Sequence, residues 1–159
     1  MLNNDYKDML HALSGEGVKF ILVGGYAISA HGWPRTTLDI DFWILASPEN
    51  AAAVIRALKT FGAPLADVSA ADFEKAGTIF QIGVAPCRID ILTQIDGVDF
   101  EEAWPRAVVK TWEGIDVRVL SLQDLLANKR ASNRLKDLAD VELLEQLVSG
   151  AWEAEGQNA

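Results

Sequence analysis

Apolar residues fall along the chain either in short continuous runs or at helical spacings. The runs at residues 18–23 and 38–45 predict two buried strands, because a strand that is covered on both faces is apolar throughout. Residues 77–84 and 88–93 predict a β-hairpin, and the alternation over 116–120 predicts one more strand. The pattern therefore supplies enough strands for one sheet.

Capping residues and helical spacings separate the predicted strands. Ser47, Pro48 and Glu49 predict the start of a helix that continues to about residue 61, since serine caps a helix, proline fits its first turn and an acid favours its positive end. Ser121 predicts a second capped start. The other predicted helices lie at residues 5–13, at 26–31 and from about 135, the last with an apolar face of Leu138, Val141, Leu144, Leu147 and Val148. Residues 98–110 give no clear prediction.

The resulting order, α-β-α-β-α-β-β-β-α-α, predicts a mixed α/β fold. Half of the 159 residues are hydrophobic and 23% are charged, which is typical of one folded domain. We expect this domain to span residues 1–150 and the tail, 151–159, to fray. Cys87 is the single cysteine, and no apolar run approaches the ~18 residues of a membrane span or resembles a secretory signal. We therefore expect a cytoplasmic protein without disulfides or a membrane partner.

The charge balance restricts the partners that the chain can bind. It has 14 Lys and Arg residues against 23 Asp and Glu residues, a net charge of −9. Such a domain repels phosphate backbones unless its basic residues are gathered locally or a cation intervenes. Lys129, Arg130, Arg134 and Lys136 are close together and form either such a local positive cluster or a solvated helix face paired with nearby acids.

The predicted second strand carries two acids at strand spacing. Asp39 and Asp41 are two residues apart, so both carboxylates project from the same face of the strand. Two acids this close repel each other unless a cation lies between them, and Mg²⁺ takes carboxylate oxygens, water and phosphates as ligands. A solvated strand face gives the same pattern, but the large apolar neighbours of the pair argue against an exposed strand.

A glycine turn and a third acid extend this candidate site. Gly24 and Gly25 follow the first predicted strand, where they let the backbone approach a ligand or simply form a tight turn to the next helix. Asp90 lies in an apolar strand that the hairpin could bring beside Asp39 and Asp41, although a surface acid facing water fits equally well. Three carboxylates near a phosphate-binding turn would form a two-metal phosphoryl-transfer site.

These residues together resemble a known signature. Val23-Gly24-Gly25, thirteen residues, an Asp-Ile-Asp-Phe segment and a later Ile-Asp-Ile resemble the motif of the polymerase-beta-like nucleotidyltransferase superfamily. Within it, LVGGYAISAHGWPRTTLDIDFWI and SLQDLLANKRASNRLKDLADVELL are similar to the AbiEii-type branch of bacterial nucleotidyltransferases, which is associated with toxin–antitoxin systems. The resemblance implies a polymerase-beta-like fold with a mixed sheet and C-terminal helices.

The resemblance also implies an activity and roles for residues. The activity is transfer of a nucleotide from an NTP to an acceptor hydroxyl, with Mg²⁺ as the cofactor, two ions bound and Mn²⁺ as an alternative. The implied catalytic residues are Asp39, Asp41, Asp90 and Lys129, the implied metal ligands are Asp39, Asp41 and Asp90, and the implied nucleotide-binding residues are Gly24, Gly25, Arg35 and Lys129. Asp137 and Asp140 match a Lys-Asp-x-x-Asp segment of that branch.

The acceptor and the partner stay open at this point. The acceptor could be a tRNA end, a protein or a small molecule such as an antibiotic, and a cognate antitoxin or toxin protein is a possible partner. The rival hypotheses are a small-molecule nucleotidyltransferase, a non-catalytic nucleotide- or partner-binding module, and an antitoxin-like subunit. His31 is more typical of a structural histidine than of a base, because metal-dependent nucleotidyl transfer does not require one.

Overall fold

The computed structural model describes residues 3–33, 39–84, 87–112 and 114–150. Its strands are β1 (Phe20–Val23), β2 (Ile40–Ile44), β3 (Ile79–Ile82), β4 (Ile89–Leu92), β5 (Val108–Trp112) and β6 (Ile115–Val119). Its helices are α1 (Asn4–Gly15), α2 (Gly24–Ala30), α3 (Pro48–Phe61), α4 (Ala70–Phe73), α5 (Phe100–Arg106), α6 (Leu122–Ser132) and α7 (Leu138–Val148). A 3-10 turn, Leu135–Asp137, leads into α7.

The six strands form one mixed sheet in the order β3-β4-β2-β1-β6-β5. Strand β1 runs antiparallel to β2 and parallel to β6, while β2 runs parallel to β4. The predicted hairpin is the antiparallel pair β3 and β4 at one edge, and β5 and β6 form a second hairpin at the other. The predicted mixed α/β fold is confirmed.

Helices pack on the sheet, and the sequence marks the two ends of α3 clearly. Helix α3 begins at Pro48, where the Ser47 side chain accepts a hydrogen bond from the Asn50 amide, and it ends at Gly62 in the left-handed region. Helix α1 packs against α3, and α6 packs against α7. The central strands are apolar, and the core includes the fully buried side chains of Ile21, Leu22, Ile40, Phe42 and Ile44.

Asn50 connects three elements at the end of β1 opposite Gly24. Its side chain is buried and accepts a hydrogen bond from the Lys19 amide at 2.8 Å. Its amide group donates to the carbonyl oxygens of Lys19 at 3.0 Å and Leu45 at 2.8 Å. The start of β1, the end of β2 and the first turn of α3 are therefore joined through one polar side chain.

Three short elements were not predicted from the pattern. They are α4, α5 and β5, of which the last two fall in the interval that gave no clear prediction. Helix α5 has seven residues and contains Pro105, and it is fixed by tertiary contacts: the Phe100 ring packs against Trp43 and stacks on Trp104. Strand β5 is an edge strand with Val108 and Val109 exposed, so it lacks the apolar run of a buried strand.

The last helix differs from its predicted apolar face. Leu144 and Leu147 are buried, but Leu138 is 58% exposed and Val148 is 37% exposed. These two residues are the first and the last of α7, which begins only after the 3-10 turn, so the buried face is confined to the middle of the helix. The predicted turn at 85–86, the strand start at Leu38 and the tail, 151–159, lie outside the described residues. No described helix is long and apolar enough to cross a membrane.

Candidate active site

Three carboxylates meet on one face of the sheet, and we call Asp39, Asp41 and Asp90 the acid cluster. Asp39 directly precedes β2, Asp41 lies within it, and Asp90 lies in the parallel neighbour β4. Asp41 and Asp90 are direct register partners, which places their side chains next to each other. Asp90 is 7% exposed, so its interpretation as a surface acid is wrong.

The guanidinium of Arg88 lies between two members of the acid cluster. Its Nε donates to Asp90 Oδ1 at 2.9 Å, and its Nη2 donates to Asp90 Oδ2 at 3.2 Å and to Asp39 Oδ2 at 3.1 Å. Arg88 precedes Asp90 by two residues and therefore shares its face of the sheet. The hydroxyl of Tyr6 in α1 donates to the Arg88 carbonyl oxygen at 3.2 Å, which ties this backbone to the first helix.

Asp41 is the member of the cluster with the most perturbed proton affinity. Burial raises its pKa to about 7, and the neighbouring charge of Asp90, a hydrogen bond to Asp90 and the charge of Asp39 act in the same direction. The positive charge of Lys129 opposes this rise. Burial and the neighbouring carboxylates therefore both favour the protonated form of Asp41 near neutral pH.

Gly24 brings the backbone against the acid cluster. It has a φ of +72°, which glycine adopts at little cost, and it opens α2 directly after β1. A Cβ atom at this position would overlap the carboxylate of Asp41. Gly25 follows it in the first turn of α2. A side chain at Gly24 is therefore excluded both by the backbone conformation and by the space that Asp41 occupies.

Lys129 reaches toward the cluster from α6. Its side chain is 12% exposed, and its Nζ lies 3.2 Å from Asp137 Oδ1 and 3.5 Å from Asp140 Oδ2. Asp137 also accepts hydrogen bonds from Ser132 and from Arg134 Nε, at 2.9 and 2.8 Å. Burial would raise the pKa of Asp137, but the hydrogen bonds from Arg134, Ser132 and Lys129 outweigh it and lower the pKa to about 2. The lysine is thus held in place by two acidic side chains.

The structure separates the remaining basic residues from the acid cluster. Arg130 pairs with Glu145 on the exposed side of α6 and α7, and Lys136 is exposed. The ring of His31 is hydrogen-bonded through Nε2 to the Leu120 carbonyl at 2.8 Å, and burial lowers its pKa, which fits a structural histidine. Arg35 lies outside the described residues.

Sequence reasoning missed Arg88 as a site residue. The signal was present, because an Arg-x-Asp spacing in a strand puts both side chains on one face, as it does for Asp39 and Asp41. The sequence could not predict that Arg88 also contacts Asp39, which lies next to the neighbouring strand. Only the parallel pairing of β2 with β4 brings Arg88 to Asp39, 49 residues earlier in the chain.

Within the described ranges, no group of three or more His, Cys, Asp or Glu side chains is arranged to enclose a metal ion. Arg88 instead bridges two of the three carboxylates, with hydrogen bonds to oxygens of both Asp39 and Asp90. The donor chemistry nevertheless fits a hard divalent cation, since all three groups are carboxylates and the charges of Asp90 and Asp39 add to the effect of burial in raising the pKa of Asp41.

Comparisons with known proteins show the family of the chain and, separately, its fold. The family model for the nucleotidyl transferase AbiEii toxin of a type IV toxin–antitoxin system matches residues 8–155. Solved structures that match include a candidate nucleotidyltransferase from Thermotoga maritima, with 18% identity, a TM-score of 0.56 and coverage of 94% of this chain and 96% of that one. No curated protein sequence matches significantly. The chain belongs to the AbiEii nucleotidyl transferase toxin family and has a nucleotidyltransferase fold.

Proposed function

We propose that the protein transfers a nucleotidyl group from an NTP to an acceptor hydroxyl at the acid cluster. The observation that carries this proposal is the meeting of Asp39, Asp41 and Asp90 beside a glycine turn that touches Asp41. Family membership makes a nucleotidyl transfer reaction the expected chemistry. The geometry supplies the two parts that such a reaction needs, namely concentrated carboxylates and backbone that can approach a phosphate.

The proposed reaction forms one bond and breaks one bond. The acceptor oxygen attacks the α-phosphorus, the bond between that phosphorus and the bridging oxygen to the β-phosphorus breaks, and pyrophosphate leaves with the electron pair. The proton of the acceptor hydroxyl passes to a carboxylate, for which we propose Asp90. Asp90 is buried beside Asp41 and is held by Arg88, so its position is fixed by two strands.

The acid cluster is the proposed place for divalent cations. We propose that Asp39, Asp41 and Asp90 hold Mg²⁺, two ions in the active complex, with Mn²⁺ as a substitute. When bound, such ions neutralise charge on the triphosphate and lower the pKa of the acceptor hydroxyl. The pKa of Asp41, raised first by burial and further by the charges of Asp90 and Asp39, supports this proposal, because a cation would offset the repulsion among the three carboxylates.

We propose that the triphosphate lies between the glycine turn and α6. Gly24 and Gly25 present backbone amides at the end of β1, and Lys129 extends from α6 close enough to affect the pKa of Asp41. Arg35, which resembles the family's arginine before the acid pair, is proposed as a further phosphate contact. Asp137 and Asp140 orient Lys129 through ion pairs.

The proposed acceptor is the hydroxyl of a tRNA end or of a protein. The net charge of −9 disfavours a broad RNA-binding surface, so any RNA would be held at a local site. The toxin–antitoxin family suggests a cognate antitoxin as the protein partner.

A labelling experiment tests this function. The protein is incubated with each α-labelled NTP, Mg²⁺ and either total RNA or protein lysate, and incorporation of label is measured. We expect Asp41→Asn to reduce labelling at least a hundredfold. Asp67→Asn, which removes an exposed carboxylate in a turn, is the matched control and should leave labelling unchanged. Equal labelling by a folded Asp41→Asn protein would contradict the proposal.

A further inference from the structure

The side chain of Arg88 is hydrogen-bonded to two members of the acid cluster, Asp39 and Asp90. The proposed reaction assigns no chemical role to this side chain. Arg88 makes three hydrogen bonds to two carboxylates, and its side chain is 32% exposed. Its guanidinium has the fork geometry that matches carboxylates on two sides. A guanidinium stays charged at all relevant pH values.

The contacts of Arg88 use the same atoms that a cation would need. Asp39 offers Oδ2 to Arg88, and Asp90 offers both Oδ1 and Oδ2. An oxygen that accepts a short, charge-assisted hydrogen bond is a weaker metal ligand, since the hydrogen bond must first be broken. The positive charge of Arg88 also reduces the field that attracts a second cation to the same place.

The backbone at Arg88 is held independently of its side chain. Its carbonyl oxygen accepts a hydrogen bond from the Tyr6 hydroxyl, and the Ile40 amide donates to the same carbonyl at 3.0 Å. The side chain can therefore turn away from the carboxylates while β4 keeps its pairing with β2. Because the backbone is fixed and the charged side chain is half-exposed, another cation can displace this side chain from the carboxylates.

We infer that Arg88 is a positioning residue that acts as an internal cation: it holds Asp39 and Asp90 in the metal-free protein and competes with divalent cations for them. The inference rests on the proposed function, because it takes the acid cluster to be the cation site. It has a direct consequence. If Arg88 competes with cations, its removal should strengthen cation binding. If Arg88 merely supported the fold of the site, its removal should weaken cation binding.

The test measures Mn²⁺ affinity of the intact protein by electron paramagnetic resonance of the free ion, without nucleotide. We expect Arg88→Ala to bind Mn²⁺ about tenfold more tightly than the wild type. Arg88→Gln, which keeps a hydrogen-bonding side chain without the charge, provides a second variant should Arg88→Ala fold poorly. The matched control is Arg56→Ala, which removes an exposed arginine paired with Glu16 and should leave the affinity unchanged.

A thermal unfolding series gives a second readout. We expect saturating Mn²⁺ to raise the melting temperature of Arg88→Ala more than that of the wild type, because the variant loses its internal cation and gains more from an external one. An Mn²⁺ affinity in folded Arg88→Ala or Arg88→Gln that equals or falls below that of the wild type would overturn the role of Arg88 alone. Failure of the wild type and all variants to bind Mn²⁺ would overturn this inference together with the proposed cation site.

Discussion

At the scale of single residues, Gly24 shows how backbone conformation and chemistry constrain the same position. Its φ of +72° costs an L-amino acid roughly 1–2 kcal/mol. Gly17 has a nearly equal φ of +68° but has open space where a Cβ would be, whereas at Gly24 the Asp41 carboxylate fills that space. Alanine substitutions at the two glycines therefore distinguish the free-energy cost of the backbone conformation from the cost of the contact with Asp41.

This difference yields a prediction. Gly24→Ala should destabilise the protein by roughly 1–3 kcal/mol and reduce nucleotide labelling at least tenfold, because its methyl group must displace the Asp41 carboxylate. Gly17→Ala should cost a similar free energy of unfolding, within about 1 kcal/mol, and leave labelling intact. Urea unfolding and labelling measured on both variants check this. Equal labelling by the two variants would show that the contact with Asp41 has no effect on activity.

The residues of the site differ in how far the sequence could predict them. The acid pair was predictable because strand periodicity puts Asp39 and Asp41 on one face whatever the rest of the fold does. Asp90 was a candidate only, since its neighbourhood depends on which strand β4 pairs with. The partners of Lys129 illustrate a third case: Asp137 and Asp140 were recognised in sequence, but their contact with the lysine requires α7 to fold back on α6.

At the scale of elements, Asn50 decides how α3 attaches to the sheet. Its three hydrogen bonds go to backbone groups at the start of β1 and the end of β2. The Lys19 amide has Asn50 as its partner, whereas the carbonyls of Lys19 and Leu45 also accept from the amides of Leu45 and Ser47. A buried backbone group without a partner costs about 1–3 kcal/mol. Asn50 thus carries more stability than an exposed position in the first turn of a helix usually does.

We predict that Asn50→Ala lowers the free energy of unfolding by about 1–3 kcal/mol, because it leaves the Lys19 amide without this partner, while the Leu45 carbonyl keeps a hydrogen bond from the Ser47 amide. Urea unfolding measures the loss. The neighbouring variant Glu49→Gln, at an exposed position, should cost about 0.5 kcal/mol. Labelling by folded Asn50→Ala should match the wild type, as Asn50 lies at the opposite end of β1 from Gly24. A cost below 1 kcal/mol would contradict the assigned role.

The elements that sequence reasoning found and missed differ in what stabilises them. Helix α3 was located to the residue because its boundaries rest on local chemistry: a serine cap, a proline in the first turn and Gly62 in the left-handed region at its end. Helix α5 depends on contacts that are distant in the chain, such as the ion pair of Arg106 with Asp124 and the packing of Phe100 on Trp43. Local pattern cannot reveal such partners.

At the scale of the whole molecule, Asp41 and Asp137 make the free energy of unfolding depend on pH in opposite directions. The pKa of Asp41 is raised to about 7 by burial, with Asp90 and Asp39 adding to the effect and Lys129 opposing it. The folded protein therefore binds a proton that the unfolded chain releases, and this stabilisation disappears as the pH rises through about 7. The pKa of Asp137 is lowered to about 2, so its contribution is present above an ordinary value of 3.8 and disappears as the pH falls below it.

We predict that the metal-free protein loses stability from about pH 5 to pH 8, by up to roughly 1.4 kcal/mol per pH unit over the part of this range below the pKa of Asp41. Asp41→Asn removes the titrating group and should flatten this decline. Urea unfolding in the presence of a chelator, at unit steps of pH, measures both curves. The comparison between variants is essential because the net charge of −9 also changes with pH. Parallel curves for the two proteins would contradict the prediction.

The pairing of Asp41 with Asp90 also has a consequence for when this protein can become active. The chain supplies Gly24, Asp39 and Asp41 early, but the acid cluster is complete only when β4 has been made and has paired with β2. A parallel pair needs a long crossover and closes slowly compared with a local hairpin. A nascent chain on the ribosome would therefore hold an incomplete site until β4 has emerged and paired with β2, well after Asp39 and Asp41 have been made.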